Sequence, residues 1–333
     1  MDIALTGATG HLGQALVPAL LEAGHQVRLL HRSTPGRHVP DARPGLSHHV
    51  VNPLDVTSVA QALRGAHAVV HAAAALTGDE HTQRQATVTG TEVMLQAMLQ
   101  AGVTRLVGIS SLSVYDYSAL TPGSTLSEHT PLESQPQLRD VYTRCKLEQD
   151  ALFRQFAQSG APVVVLRPGI FHSTPCPWPF SLGMKLPGQR WLLMGPLNSQ
   201  AEIPLVHVAD VASAIQRALD LLQHPHEHAL HVFNIIDHPA PKAAELLAAL
   251  RQRADAPRCI RLPWWLHRLL AHTAQGLNAL LGHRMPLPGL LRPRWMAARF
   301  TQVHYDSRHA LSALGWQPRH HALSSPAAPL SKP

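Results

Sequence analysis

Tyr142 and Lys146 are the residues of this sequence whose types and spacing point most directly to chemistry. They stand four positions apart, so on a helix both side chains project from one face. A phenol with a reference pKa of about 10 is a poor base at neutral pH, but a nearby ammonium favours the phenolate. The pair could instead be an amphipathic surface pair. With only four tyrosines in the chain, about 0.05 such pairs are expected by chance, so the spacing predicts an acid–base site.

Three glycines near the start of the chain predict a site for phosphate. Gly7, Gly10 and Gly13 follow a short apolar strand and precede a helical pattern. Glycines there permit a tight turn, close approach of the backbone to a pyrophosphate, and close packing of helix on sheet. The helix N-terminus then offers N–H groups and a positive dipole to the phosphate. The spacing, Gly-x-x-Gly-x-x-Gly, departs from the commonest dinucleotide fingerprint, and a purely structural turn is the alternative.

The end of the second predicted strand bears on the choice of dinucleotide. An Asp or Glu there would bind the ribose 2′-hydroxyl of NAD and repel a 2′-phosphate, but the segment Leu30-His31-Arg32-Ser33 has no acid. Arg32 can instead bind the 2′-phosphate through two parallel hydrogen bonds. The segment therefore predicts NADP(H) in preference to NAD(H), unless Arg32 merely faces solvent.

Strands and helices alternate through the first half of the chain, where they would position these residues. Strands are predicted at 3–5, 26–30, 50–51, 68–71, 106–110 and 162–166, and helices at 12–23, 59–63, 89–101 and 138–159. Short buried strands separated by helices indicate right-handed βαβ units and a parallel sheet covered on both faces. The predicted fold class is therefore α/β, a doubly wound parallel sheet of the Rossmann type.

The second half of the chain lacks the regular alternation of strands and helices. Prolines interrupt the alternation after Pro168, a helix at 206–222 and a strand at 232–236 return to the main sheet, and the remainder is mainly helical. We therefore assign residues 1–168 and 205–237 to a nucleotide-binding domain. Residues 169–204 and 238–322 are assigned to a smaller, mainly helical substrate-binding region, and 323–333 to a disordered tail.

Composition narrows the class of protein. With 45% hydrophobic residues in 333, the chain has enough apolar residues for a large core. The excess of 28 Lys+Arg over 21 Asp+Glu comes from scattered arginines, which argues against nucleic acid as a partner. The first strand begins at Asp2 and leaves no room for a targeting signal, so a cytoplasmic location is expected. The cysteines are far apart and the histidines His224, His226 and His228 lie in a polar loop, so neither disulfides nor a metal site are predicted.

Taken together, the motifs resemble those of the extended short-chain dehydrogenase/reductases, the NAD(P)-dependent epimerase/dehydratase-like proteins. The resemblance covers most of the chain, and the C-terminal part is similar to the 3-beta-hydroxysteroid dehydrogenase-like branch. Besides the glycines and the Tyr-x-x-x-Lys pair, it rests on His71-Ala72-Ala73-Ala74, Gly90-Thr91, Ser110 to Tyr115, Leu166-Arg167-Pro168-Gly169, Val206 to Val211, Phe233-Asn234-Ile235, Tyr305-Asp306-Ser307 and Leu314 to Pro318. Thr87 departs from the family, whose members usually carry an asparagine there.

The resemblance implies a role for each residue of the site. Tyr142 would be the catalytic acid or base, Lys146 would lower its pKa and hold the nicotinamide ribose, and Ser111 would hydrogen-bond the substrate oxygen. Ser111 is preferred because it stands four before a tyrosine in the family pattern, although strand alternation leaves Ser113 open. Asp55 matches a position beside the adenine and could equally cap the next helix. The residues expected to contact the cofactor are Thr6, Gly7, Gly10, His11, Leu12, Gly13, Arg32, Asp55, Ala72, Tyr142, Lys146 and Pro168.

The resemblance also indicates which reaction of this superfamily the chain is expected to catalyse. Dehydratases carry acidic residues where this chain has Leu112 and Ser113, and sugar-nucleotide epimerases usually carry an asparagine where it has Gly-Ile-Phe-His at 169–172. The leading hypothesis is therefore a carbonyl reductase or alcohol dehydrogenase, in which Tyr142 moves the proton while hydride passes between nicotinamide and substrate. A sugar-nucleotide epimerase is the first alternative, and a non-catalytic NADP(H)-binding sensor or scaffold is the second.

An apolar helical stripe between Pro263 and Gly282 bears on substrate and partners. Polar residues interrupt it, which argues against a transmembrane span. Core packing is the default expectation, and lining a substrate cleft or resting on a membrane surface are the alternatives. Its apolar members are Trp264, Trp265, Leu266, Leu269, Leu270, Leu277, Leu280 and Leu281.

Aromatic residues also crowd the divergent half of the chain. We therefore expect a largely apolar pocket for a small hydrophobic substrate, a ketone or secondary alcohol of sterol-like or lipid-like character. A homodimer and a peripheral membrane contact both stay open. The aromatic residues concerned are Phe171, Trp178, Phe180 and Trp191.

Overall fold

Strands and helices alternate along the chain in a computed structural model that describes residues 1–32, 40–41, 43–198, 200–224, 230–282 and 287–323. The strands are β1 (Asp2–Thr6), β2 (Gln26–His31), β3 (Leu46–Val50), β4 (Ala68–His71), β5 (Leu106–Ile109), β6 (Thr125–Leu126), β7 (Val163–Pro168), β8 (Ile170–His172), β9 (Gly183–Leu186), β10 (Arg190–Leu193), β11 (Leu205–His207), β12 (Leu230–Ile235), β13 (Arg258–Arg261) and β14 (His304–Tyr305). The helices are α1 (His11–Glu22), α2 (Val56–Leu63), α3 (Glu80–Arg84), α4 (Gly90–Ala101), α5 (Val141–Gln158), α6 (Val208–Leu221), α7 (Ala243–Arg251), α8 (Trp264–Leu280), α9 (Pro293–Phe300) and α10 (Arg308–Leu314).

Seven strands form a central parallel sheet in the order β12-β7-β5-β4-β1-β2-β3. Three smaller sheets, β13-β10-β9, β11-β8 and β14-β6, lie outside it. Helices cover both faces of the central sheet: α1 and α6 pack on one face through Leu16 and Ile215, and α2, α4 and α5 on the other through Leu63, Met98 and Phe153. The predicted doubly wound α/β architecture is confirmed.

The strand order places a ligand crevice at one point of the sheet. From β1 the chain proceeds outward through β2 and β3, then returns to the other side of β1 and builds outward through β4, β5 and β7. In open α/β sheets, ligands bind outside the carboxyl ends of the strands where the order reverses. The register pairs Thr6 of β1 with His71 of β4. The glycine turn after Thr6 and the segment after His71 therefore face each other across this switch point.

One strand lies earlier than the sequence predicts. The strand expected at 50–51 spans Leu46–Val50 and pairs only with β2, at the edge of the sheet. An edge strand is not covered on both sides, so it tolerates the polar residues Ser47, His48 and His49. Those residues conceal the strand from an analysis that looks for continuous apolar runs.

The C-terminal part is mixed rather than purely helical. It contains α7 to α10 together with the short strands β13 and β14. Ala310 and Leu314 of α10, followed by Trp316, pack into the core beside α1 and α6. Part of the predicted substrate region thus contacts the nucleotide-binding core, and the division into domains stays a prediction. Residues 324–333 of the predicted tail, and His226 and His228, lie outside the described residues.

The apolar stripe of α8 is not in the core. The buried residues of this helix are His267 and Ala271. Six apolar members of the stripe are exposed: Trp265, Leu269, Leu270, Leu277, Leu280 and Leu281. Core packing, the default expectation from the sequence, is therefore wrong, because the helix contacts the rest of the molecule through the opposite side. Among the described residues, no helix is both long and apolar enough to cross a membrane.

Candidate active site

The glycine turn between β1 and α1 is shaped by contacts that only glycine allows. Gly7 has φ +76°, and a Cβ there would come within 2.7 Å of the Ala72 carbonyl carbon. A Cβ on Gly13 would lie 2.4 Å from the Cα of Ala8. Gly10 is exposed, and its nearest contact, the Gly7 carbonyl oxygen, is 3.3 Å away. The chain's own packing thus requires glycine at two positions, and at the third it leaves the backbone open.

The first turn of α1 suits a phosphate group. Gly10 is its N-cap and provides no side-chain hydrogen bond, and the turn contains no acidic residue. The first N–H groups of a helix have no partner within it, and the helix dipole adds positive potential there. His11 is exposed beside this turn and Leu12 is buried behind it. The residues present therefore fit the pyrophosphate of a dinucleotide.

Other predicted cofactor contacts lie at the carboxyl ends of the central strands. Arg32 is exposed directly after β2, the strand that neighbours β1. Pro168 ends β7, further along the sheet. Asp55 caps α2, because its carboxylate accepts hydrogen bonds from the N–H groups of Thr57 and Ser58 at 2.9 and 3.4 Å. The capping role considered for Asp55 is thus present, and its contact with adenine stays a prediction.

Tyr142 lies in the first turn of α5, where Asp140 fixes the helix start by accepting a hydrogen bond from the Thr143 N–H at 2.9 Å. The side chain of Ser111, which follows β5, lies close enough to the Tyr142 phenol to lower its pKa. Ser110 instead donates to Asp150 at 2.7 Å. The Ser113 hydroxyl is buried with no hydrogen-bond partner among the described residues. Ser111 is therefore the serine of this segment that lies beside Tyr142, and its catalytic role stays a prediction.

Lys146 is buried one turn after Tyr142, with its ammonium directed into the protein. Its Nζ donates to the carbonyl oxygen of Ile109 and to Oε1 of Gln149, both at 2.8 Å. Burial lowers the pKa of Lys146 to about 7, although the carboxylate of Asp150 opposes part of that change. With this pKa, the Lys146 side chain can either hold or release a proton at physiological pH, a property common among groups that exchange protons.

Burial raises the pKa of the Tyr142 phenol, and the nearby Ser111 side chain offsets only part of this effect. Lys146 does not contribute to the balance. The expectation that Lys146 lowers the pKa of Tyr142 is therefore not met by this arrangement of the chain, because the ammonium is held by Ile109 and Gln149. Tyr142 accordingly carries its proton at neutral pH and is poised as a donor.

A buried polar network connects Lys146 to the glycine turn. Gln149 accepts from Lys146 and donates through Nε2 to Oγ1 of Thr91 at 2.8 Å. Thr91 Oγ1 lies 2.9 Å from Nε2 of His71, and His71 Nδ1 lies 2.9 Å from Oγ1 of Thr6. The sequence analysis did not assign Gln149, Thr91 and His71 to the site. The spacing of Gln149, three after Lys146 on the same helical face, was the available signal.

Thr87, which replaces the usual asparagine of the family, also touches this network. It lies in a single π-helical turn, Gln85–Thr89, a distortion that often marks functional sites. Its carbonyl oxygen accepts from Thr91 Oγ1 at 2.6 Å, and its hydroxyl accepts from the Ala75 N–H at 3.1 Å. The Thr87 side chain is therefore engaged by the backbone after β4, and Gln149 provides the side-chain contact to Lys146.

His71 gives the network a pH dependence that can be measured. Burial, aided by the positive charge of Lys146, lowers the pKa of His71 from 6.5 to about 3. Between these values the unfolded chain binds more protons than the folded chain, so stability is lost as the pH falls from 6.5 towards 3. At pH 4 the loss should be about 3 kcal/mol. Urea unfolding of wild type and His71→Asn at pH 7 and pH 4 measures it.

Between pH 7 and pH 4, the free energy of unfolding of His71→Asn should fall by about 3 kcal/mol less than that of the wild type. His81→Asn, at an exposed histidine of α3, is the matched control and should follow the wild type. Equal acid sensitivity of wild type and His71→Asn would show that His71 does not carry this dependence.

A buried ion pair links the elements that carry the site. Arg167 of β7 donates to both carboxylate oxygens of Asp150 on α5, at 3.0 and 2.8 Å. Both side chains are fully buried. The Arg167 guanidinium also lies over the Tyr115 ring and donates to its hydroxyl at 3.0 Å. These contacts join α5, β7 and the segment after β5, and so hold Tyr142 and Ser111 in register.

A cavity of about 690 Å³ lies in the C-terminal part of the molecule. It is lined by residues including Leu120, Trp264, Met296 and Phe300, with Arg268 and His272 among its polar members. Tyr142, Ser111 and Lys146 do not line it. Neither do the four aromatic residues expected around the pocket: Phe171, Trp178 and Trp191 pack against hydrophobic clusters, and Phe180 is exposed.

The fold and the site define an NAD(P)-binding protein of the Rossmann type. Residues 7–220, well over half of the chain, match the NAD(P)H-binding family. The chain belongs to this family, with the extended short-chain dehydrogenase/reductase architecture predicted from its motifs. That prediction is confirmed, and so is the enzyme class, NAD(P)-dependent oxidoreductases and their relatives.

Among curated relatives, a Synechocystis sp. protein named "Putative dihydroflavonol 4-reductase" is 29% identical over 93% of this chain and 88% of its own length. The 2-alkyl-3-oxoalkanoate reductase of Stenotrophomonas maltophilia is 38% identical over 34% of each chain. An uncharacterized protein of Mycobacterium tuberculosis is 36% identical over 33% of this chain, and that match spans 12% of the relative's length. Activity and substrate of the present protein are therefore matters for proposal.

Solved structures share the fold at low identity. The protein gox2253 aligns with 97% of this chain and 95% of its own, at a TM-score of 0.73 and 23% identity. A UDP-glucose-4-epimerase from Stenotrophomonas maltophila, with bound NAD and formylated UDP-arabinopyranose, aligns with 98% of this chain and 95% of its own, at a TM-score of 0.71 and 19% identity. At these identities the likeness establishes the architecture, which hosts more than one reaction.

Proposed function

We propose that this protein is an NADP(H)-dependent carbonyl reductase or alcohol dehydrogenase that uses Ser111, Tyr142 and Lys146. The observation that carries the proposal is the position of the Ser111 side chain beside the Tyr142 phenol, whose pKa it lowers, one helical turn from a buried lysine whose pKa is about 7. Proton transfer to or from a substrate oxygen needs both groups.

In the reducing direction, a nicotinamide cofactor held at this site would supply the hydride. Ser111 donates a hydrogen bond that orients the carbonyl oxygen, and Tyr142, protonated at neutral pH, delivers its proton to that oxygen. Tyr142 then regains a proton from solvent, since the hydrogen bonds of Lys146 lead to Ile109 and Gln149 rather than to Tyr142. In the oxidising direction the same groups act in reverse.

The proposed substrate is a hydrophobic ketone or secondary alcohol. Two observations favour it over a sugar nucleotide. The resemblance leads us to expect an asparagine among residues 169–172 in a sugar-nucleotide epimerase. Here these residues are Gly-Ile-Phe-His and include no asparagine. The relatives with 29% and 38% identity are named for reductases of organic carbonyl compounds, not of sugar nucleotides.

A thermal-shift comparison with NADP(H) present tests the substrate class. Stabilisation by hydrophobic carbonyl compounds, and none by UDP-sugars, is expected. The opposite ranking would favour the epimerase, and cofactor binding without turnover on any carbonyl compound would favour the non-catalytic sensor. The cytoplasmic location and the homodimer stay predictions.

The preference for NADP(H) rests on Arg32. Its exposed guanidinium lies at the strand end where an acid would bind the 2′-hydroxyl of NAD. Arg32→Asp should lower the ratio of kcat/KM with NADPH to that with NADH by at least about tenfold, because the carboxylate repels a 2′-phosphate. Steady-state kinetics with both cofactors measure the ratio. Arg64→Asp, at an exposed arginine after α2, is the control. A wild-type enzyme that favours NADH tenfold would contradict the assignment.

A further inference from the structure

Helix α8 presents its polar side to the protein and its apolar side to the outside. His267 is buried and its Nε2 lies 2.8 Å from the carbonyl oxygen of Leu290. Gln275 donates through Nε2 to the carbonyl oxygen of Leu291 at 2.7 Å. Ala271 is the other buried residue of the helix. In a typical surface helix, the apolar side faces the core and the polar side faces solvent.

The outer side of α8 is a continuous apolar surface. At 3.6 residues per turn, its members fall within an arc of about 160°, which also holds Leu266, Thr273 and Gly276 but no charged residue. Single exposed apolar residues are ordinary, whereas a contiguous patch of this kind marks an interaction site. We call it the α8 outer face: Trp265, Leu269, Leu270, Leu277, Leu280 and Leu281, which are between 46% and 86% exposed.

The sequence segment that contains this face has basic but no acidic residues. Residues 256–305 contain seven arginines and no Asp, Glu or Lys. Arg258, Arg261 and Arg268 are exposed, and none of the three forms an ion pair within the part of the chain that the structure describes. Arg258 and Arg261 belong to β13, just before the helix, and Arg268 lies within it. The apolar face is therefore accompanied by unneutralised arginines.

We propose that the α8 outer face binds the surface of an anionic lipid bilayer. Leucines and a tryptophan would enter the boundary between headgroups and acyl chains, and the arginines would meet the anionic headgroups. A second copy of this chain fits less well, because a twofold interface on this face would bring both sets of arginines together. The helix would lie along the membrane, since its 17 residues include buried polar groups.

Co-sedimentation of the full chain with vesicles tests this proposal. One set of vesicles is phosphatidylcholine, and the other contains about 30 mol% phosphatidylserine. Wild type should bind the anionic vesicles at least about tenfold more tightly than the neutral ones. The double variant Leu269→Glu, Leu277→Glu should lose at least about tenfold of that binding, and Arg261→Gln with Arg268→Gln should reduce the preference for anionic vesicles and its salt sensitivity.

Leu99→Glu is the matched control, because Leu99 is an exposed leucine on α4 outside this face. It should bind vesicles as the wild type does, and unfolding temperatures of all variants check that each is folded. A blue shift of Trp265 fluorescence on vesicle binding, absent in Trp265→Phe, would place the helix at the lipid. Wild-type binding that is absent, equal on both vesicles, or unchanged in the double leucine variant would overturn the proposal. A dimer in solution that the leucine variant dissociates, without vesicle binding, would assign the face to self-association.

Discussion

Replacing Tyr142 by phenylalanine should lower kcat by about 10²- to 10⁴-fold, the usual contribution of a positioned acid or base. The phenyl ring retains the packing of the side chain, but the hydroxyl that lies beside Ser111 and carries the proton is lost. Affinity for NADPH, measured by fluorescence titration, should change little. Because kcat and kcat/KM should fall together, steady-state kinetics on a carbonyl substrate give the direct measurement.

Tyr115→Phe is a matched control for this prediction. It removes a hydroxyl that donates to Oδ1 of Asn234 at 2.7 Å and receives a hydrogen bond from Arg167. Since those contacts are structural, the control should lower stability and leave most of the turnover in the folded fraction. A Tyr142→Phe enzyme that retains most of the wild-type kcat would exclude Tyr142 as the proton donor.

Replacing Asp150 by alanine should destabilise the protein by about 3–5 kcal/mol, because it leaves the fully buried Arg167 guanidinium without its counter-ion. Asp150 also receives hydrogen bonds from Ser110 and Arg154, at 2.7 and 2.8 Å. A loss of this size is a large fraction of the stability of a typical domain. Urea or thermal unfolding at neutral pH measures it.

Glu148→Ala is the control for Asp150→Ala, on the same helix. Glu148 pairs with Arg84 on the surface, and both side chains are about half exposed, so the expected loss is only about 0–1 kcal/mol. Because Asp150 lies on the helix that carries Tyr142 and Lys146, activity should be lost together with structure. A loss of stability no greater than that of Glu148→Ala would show that the Arg167 charge finds another partner.

Local sequence patterns were sufficient to predict most elements of the nucleotide-binding half. The strands β1, β4, β5 and β7 are fully or largely buried, so their residues form apolar runs that a sequence analysis detects. Gly7 and Gly13 were identified because a turn with φ above zero and a close approach to the backbone both exclude a side chain. The edge strand β3 was misplaced because an uncovered edge does not need apolar residues.

The polar connections of the site depended on long-range contacts. Thr91 bonds Gln149 across 58 residues of sequence and bonds His71 across 20, so no local sequence period predicts the network. The direction of the Lys146 ammonium, towards Ile109 and Gln149, also follows from how α5 packs beside β5. Spacing on a helix shows that two residues share a face, but it does not show which groups that face meets.

The sequence by itself determined the family and the α/β class, because both depend on motifs and patterns that are local in the chain. It also predicted the phosphate turn and the Ser111, Tyr142 and Lys146 set. Only the tertiary structure decided which side of α8 is covered. An amphipathic pattern fixes the angle between apolar and polar sides, whereas contacts of His267 and Gln275 with the segment at 289–291 fix which side faces inward. Those contacts turn the apolar side outward, and this orientation is a property of the packing that no period in the sequence specifies.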